Sequence, residues 1–304
     1  MTPLAFVLVL FSACFHATWN MIGKKSGVSL AFYALLVTIA LVWTAWVPFV
    51  TPLRPFPQPL AFYAWLGGVI ASEFLYAFGL KQSYRRLDMS TAYPMMRALP
   101  LLLLAAITSA FGLGKPLGAH AVAGMAVVFM GCLLVPLDTF SDFKPLRYIN
   151  GDFGCVLLVA LGTTGYTLCD SQAQRVMVAA AQATGIAVSK PMVSLSYYFF
   201  RDGPLCAALW TAALCGRKTR AEAADLWRHR SWMPLAAGCC STMTYALVLM
   251  AMNFATNVAY VQAFRQIGLV FGLLEGVLIL RERCTAPKVA GIAFILVGLA
   301  VSVL

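Results

Sequence analysis

Residues 90–110 read STAYPMMRALPLLLLAAITSA, a run that is apolar from Met95 onward except for one charge, Arg97, set between Pro94 and Pro100. A helix needs about 20 apolar residues to cross a hydrocarbon core roughly 30 Å thick, and this run is long enough. Similar stretches follow one another along the chain. The expected spans are 3–22, 28–50, 59–80, 89–110, 119–137, 152–173, 192–215, 232–253, 258–280 and 286–303. The 304 residues are 61% hydrophobic and 11% charged, whereas an ordinary soluble domain is roughly 25% charged. Continuous rather than alternating apolar runs select helices over a barrel. The chain therefore reads as an all-α polytopic membrane protein of ten transmembrane helices.

The first run, MTPLAFVLVLFSACFHATWN, lacks the basic leader of a secretory signal and is expected to be a retained span. The net charge of +11 sits in short loops beside spans, which topology explains better than nucleic-acid binding. The nine cysteines form no C-x-x-C pair and have no nearby His cluster, so no metal or cofactor is expected. H-E-x-x-H, G-x-S-x-G and P-loop patterns are absent from the sequence, so metalloprotease, serine-hydrolase and ATP-driven pump chemistry lack their minimum parts. The expectation is a protein that is not an enzyme.

Loop charge gives topology. Lys24, Lys25, Lys81, Arg85 and Arg86 follow spans 1 and 3, and Lys144 and Arg147 lie in the mid-chain linker. Arg217, Lys218, Arg220, Arg228, Arg230, Arg281, Arg283 and Lys288 follow spans 7 and 9. With ten spans all fifteen fall on one face, against Arg54, Lys115, Arg175 and Lys190 on the other. The positive-inside rule makes the rich face cytoplasmic and puts both termini outside. The change of parity at mid-chain divides the protein into a repeat at 1–137, a linker at 138–151 and a second repeat at 152–304, inserted in opposite orientations.

A shift of 167 residues aligns Ala92 and Tyr93 with Ala259 and Tyr260, Ala123 and Gly124 with Ala290 and Gly291, and Gly131 with Gly298, with Arg97 one residue short of Arg265. A shift of 150 pairs His16 with Tyr166, Asn20 with Asp170 and Lys25 with Arg175. The glycine pairs 124/131 and 291/298 are seven residues apart and so form one stripe on each helix. They fit close helix contacts between the halves or between two copies in a homodimer.

HATWNMIGKK closing span 1, AYPMMRALPLLL in span 4, and AYVQAFRQIGLVFGLLEGVLILRERCTAPKVAGIAFILVGLAV through spans 9 and 10 together resemble the EamA-type branch of the drug/metabolite transporter superfamily. In that family a Glu stands between the last two spans, matched here by Glu282, whereas Gly114 and Lys115 stand in the first half where a Glu is usual. The resemblance implies ten helices around a central cavity lined by spans 4 and 9. It also implies transport, often export, of small polar metabolites.

Arg97 and Arg265 are the charges that matter most. A charge at depth costs from about 3 to more than 10 kcal/mol and should face water or a partner. Inverted repeats bring both guanidiniums to one cavity, where they would hold a carboxylate, phosphonate or phosphate; the alternative is that each snorkels to an interface. Tyr76, Tyr93, Tyr245, Tyr260, Gln262, Gln266 and Asn20 are further candidate substrate contacts. Glu73, buried in LGGVIASEFLYAFGL, is the candidate proton carrier, or else the counter-ion of Arg97. The tetrad Arg201-Asp202-Gly203-Pro204 reads either as a break in span 7 or as an interfacial turn, the turn being preferred, and its adjacent charges are expected to point apart. The expected function is secondary transport, in the export direction, of a small anionic or zwitterionic metabolite across a bacterial-type inner membrane. A flippase for a phosphate-containing lipid headgroup is the alternative. The expected partners are the small-molecule substrate and the bilayer.

Overall fold

The computed structural model describes residues 2–26, 29–51, 58–86, 89–144, 153–228, 232–279, 281 and 283–304. Glu282, and half of the linker expected at 138–151, lie outside the described residues. The helices are α1 Pro3–Ser26, α2 Leu30–Thr44 with the one-turn α3 Val47–Val50, α4 Leu60–Arg86, α5 Met89–Ala110 and α6 Ala119–Leu134. The second half has α7 Phe153–Ala183, α8 Lys190–Cys215, α9 Arg217–Arg228, α10 Met233–Phe254, α11 Val258–Phe264, α12 Gly268–Leu278 and α13 Ala286–Ser302. Among the described residues there is no strand.

Five stretches are long and apolar enough to cross a membrane: Leu30–Val50, Leu60–Leu80, Phe153–Ala183, Met233–Phe254 and Val258–Leu278. Four shorter apolar helices accompany them, Pro3–Trp19, Met95–Ala110, Ala119–Leu134 and Ala286–Ser302. The protein is thus membrane-embedded and all-helical. Helix is the form in which an apolar segment satisfies its own backbone where water is missing.

Three local readings change. The sixth helix runs to Ala183 rather than ending at 173. It stops at Gly185, whose φ of +70° lets the chain turn left-handed. There Ile186 N–H donates to the Ala181 carbonyl at 2.9 Å and Gly185 N–H to Gln182 at 3.1 Å, a Schellman closure. The expected turn at Arg201–Pro204 is overturned: α8 is continuous from Lys190 to Cys215, with Pro204 inside it. The ninth helix is the interrupted one, since a 3-10 turn over Arg265–Ile267 separates α11 from α12. A mid-helix 3-10 turn marks a local departure from ideal geometry at a residue already singled out by its charge.

The most extensive packing pairs are α4 with α7, α1 with α10 and α6 with α13, followed by α2 with α8 and α10 and by α5 with α7 and α6; α5 also meets α11. Glycine sets the closest of them. A Cβ added at Gly124 would stand 2.5 Å from the Gly298 carbonyl oxygen, and one at Gly131 would stand 2.6 Å from that of Gly291. The seven-residue stripe therefore joins α6 to α13, between the halves. Along α4 and α7 the same economy applies, with Gly162 against the Tyr76 backbone and Gly79 against that of Val159. The amphipathic α9, with Arg217, Lys218, Arg220 and Arg228, lies against α8 and α2.

Candidate functional site

Two adjoining chambers lie among α1, α2, α4, α5, α7, α8, α10 and the break between α11 and α12. The first, of about 80 Å³, is lined by His16, Trp19, Tyr76, Arg97, Tyr166, Gln262 and Arg265, among others. The second, of about 90 Å³, shares His16, Trp19, Tyr76, Tyr166 and Arg265, and adds Tyr33, Glu73, Tyr198, Arg201, Asp202 and Tyr245. Helical spacing explains how each wall is built. Glu73 and Tyr76 are three apart on α4, Thr163 and Tyr166 three apart on α7, and Ser241 and Tyr245 four apart on α10, so each pair shares a face.

The first chamber is cationic. Among the described residues neither Arg97 nor Arg265 has a carboxylate within ion-pair distance. Arg265 Nη1 donates to Gln262 Oε1 at 3.3 Å. Arg97 Nη1 stands 2.9 Å from His16 Nε2, while Trp19 Nε1 stands 3.1 Å from His16 Nδ1. Both neighbours are donors and a neutral imidazole offers one lone pair, so one of these contacts goes unmade at any moment. Among the described residues Arg97 Nε has no hydrogen-bond partner. A guanidinium with donors to spare and no counter-ion is suited to grip an oxyanion in a bidentate fork.

The second chamber backs onto a buried ionic cluster. Arg201 Nη1 pairs with Asp202 Oδ1 at 2.7 Å and Nε with Asp170 Oδ1 at 3.1 Å, and Nη2 pairs with Glu73. The four groups are 4%, 1%, 0% and 2% exposed, in the order Arg201, Asp202, Asp170, Glu73. The expectation that Arg201 and Asp202 point apart is thus corrected: the long arginine folds back to its neighbour while reaching two other helices. Glu73 is the partner of Arg201, not of Arg97. Tyrosines complete the shell, Tyr197 donating to Asp170 at 2.5 Å, Tyr245 also donating to Asp170, and Tyr33 donating to Glu73 at 2.8 Å. The Tyr245 ring lies under the Arg201 guanidinium at 4.6 Å.

Of the residues expected at the site, Arg97, Arg265, Gln262, Tyr76, Tyr245 and Glu73 line one chamber or both. Gln266 is buried behind the wall, donating to the Arg97 carbonyl at 3.2 Å, and Tyr260 packs on the apolar core. The side chains of Asn20 and Tyr93 lie outside the described residues. The sequence reading missed Asp170, Tyr33, Tyr166 and Tyr198 as site residues. Asp170 carried a signal, a carboxylate within an apolar run, but the span was ended three residues later, which placed it near an interface. Two further signals were present: His16 and Tyr166, paired by the 150-residue shift, line both chambers.

No family model matches the chain, and no curated protein matches it. Twenty-eight solved chains do. One, described as "Crystal structure of protein", superposes with a TM-score of 0.66 over 98% of this chain and 96% of that chain, at 17% sequence identity. At that identity the likeness is one of fold.

Proposed function

We propose that the protein is a secondary transporter, an exporter of a small anionic or zwitterionic metabolite, working by alternating access between two inverted halves of five spans. The observation that carries this reading is the cleft in which, among the described residues, Arg97 and Arg265 stand without a carboxylate partner. Two features support the repeat. Exchanging the helices of one half for those of the other in order carries span 1 with 8 onto span 6 with 3, and 2 with 7, 4 with 9 and 5 with 10 onto themselves, while the packing of span 8 on spans 2 and 7 has no comparable image. The interruption at Arg265 sits beside the cleft, as broken helices do in transporters. The resemblance to EamA-type transporters points the same way. In this reading the membrane is a bacterial-type inner membrane, and loop charge favours both termini outside.

Glu73 is the proton carrier in this reading. It belongs to the first half and Arg201 to the second, so protonating Glu73 loosens a link across the halves. The chamber volumes favour a small solute over a lipid-linked headgroup, since a cavity of about 150 Å³ holds only a molecule the size of benzene.

Purified protein is expected to gain thermal stability from at least one of succinate, glutamate, methylphosphonate or inorganic phosphate, and Arg97→Gln to lose that gain while keeping its ligand-free melting point. Stabilisation by phospholipid or polyprenyl phosphate alone, or an undiminished gain in Arg97→Gln, would sink the proposal.

A further inference from the structure

The cleft separates charge. Arg97 and Arg265 meet in the first chamber, which among the described residues has no carboxylate in its lining. The second chamber is walled by Glu73 and Asp202, and the cluster behind it holds three carboxylates against the single guanidinium of Arg201. Arg97 lines the first chamber alone, Arg265 stands where the two chambers meet, and the cluster at the second chamber carries two formal negative charges in excess. Buried charge in excess is costly on both sides and is relieved by a ligand that supplies the opposite sign at each end.

We infer that the substrate is an oxyanion bearing an amine at its far end, bound in one orientation: the oxyanion between Arg97 and Arg265, the ammonium at Glu73 and Asp202. This rests on the transport reading above and narrows its substrate to the zwitterionic class with separated charges. An ammonium arriving at these carboxylates takes the place of the proton assigned there.

The helices also act as a ruler. The first chamber meets α4 at Tyr76 and Leu80, the second at Glu73 and Tyr76. The offset is between three and four residues, about 5 Å at a rise of 1.5 Å per residue. An extended 4-aminobutyrate places its nitrogen roughly 5 Å from its carboxyl carbon, given bonds of about 1.5 Å. Glycine is too short to span the two ends. Asp170 stays out of the contact, closed off by Tyr197, Tyr245 and Arg201.

Isothermal titration of the detergent-purified full chain with glycine, 3-aminopropionate, 4-aminobutyrate, butyrate, butylamine and inorganic phosphate tests this. The expected result is that 4-aminobutyrate binds at least tenfold tighter than butyrate, butylamine or glycine, with 3-aminopropionate intermediate. Asp202→Asn is expected to erase the preference for 4-aminobutyrate over butyrate, and Glu73→Gln to do the same should Asp202→Asn not fold. Binding of butyrate or phosphate with no gain from the amine overturns the inference and leaves the transport reading standing. So does butylamine matching 4-aminobutyrate, or an Asp202→Asn protein that keeps the preference. Silence from this whole series and from the anions proposed above removes both.

Discussion

Arg97 and Arg201 are both arginines at depth, yet their surroundings set them opposite tasks. Arg201 is held by three carboxylates and a tyrosine ring, and removing one partner of a buried ion pair costs about 3–5 kcal/mol because charge is left behind uncompensated. Arg201→Met is therefore expected to lower the melting temperature steeply or to abolish folded protein in detergent. Among the described residues Arg97 holds no carboxylate and keeps an unpartnered Nε, so Arg97→Leu removes a cost instead of a support. Its ligand-free melting temperature is expected to equal or exceed that of the wild type in the same assay. Equal losses in the two variants would make Arg97 an architectural residue. The charge of Arg97 could be read directly from its apolar run. The cluster around Arg201 could not, because Glu73 and Asp170 lie 128 and 31 residues away along the chain and no local spacing records them.

Helices sort by what their glycines touch. Gly131 lies in backbone contact with α13, and a side chain there must push α6 away at a cost of about 1–3 kcal/mol, the range found for overpacked sites. Gly67, inside α4, would meet nothing within 4 Å. There an alanine improves helix propensity by up to about 1 kcal/mol. Gly131→Val is expected to reduce the yield of folded protein and its melting temperature, and Gly67→Ala to leave both unchanged or raised, as read by size-exclusion and thermal unfolding. The pairing of α6 with α13 was legible as two glycines seven apart on each helix, though whether they joined halves or copies was not. The end of α7 and the continuity of α8 were misread, while the bounds 192–215 expected for span 7 nearly match Lys190–Cys215. The stretch from Ser171 looked neither clearly span nor clearly loop, and Gly203-Pro204 looked like a turn. Burial against neighbouring helices overrides both preferences.

At the scale of the whole molecule, the parity of loop charge makes a testable statement about sidedness. Cys215 ends α8 and Cys284 precedes α13, both exposed, and both border loops rich in Arg and Lys. In single-cysteine variants, each is expected to react with a membrane-impermeant maleimide only after the membrane is opened. Labelling of either in intact cells would reverse the proposed orientation. The apolar helices were visible because the bilayer asks a common length of every span. The order in which the spans meet was not, since apolar faces that all resemble lipid carry no record of their partners.

Among the described residues the buried or cleft-facing ionic groups, Arg97, Arg201, Arg265, Glu73, Asp170 and Asp202, sum to zero formal charge. Each elementary charge carried through a membrane does work of about 2.3 kcal/mol per 100 mV. A cleft that is neutral as a whole, carrying a cargo that is neutral as a whole, crosses that field without electrical work. The turnover of such a protein would be electrically silent in itself, and any current that accompanies it would count the coupling ions alone.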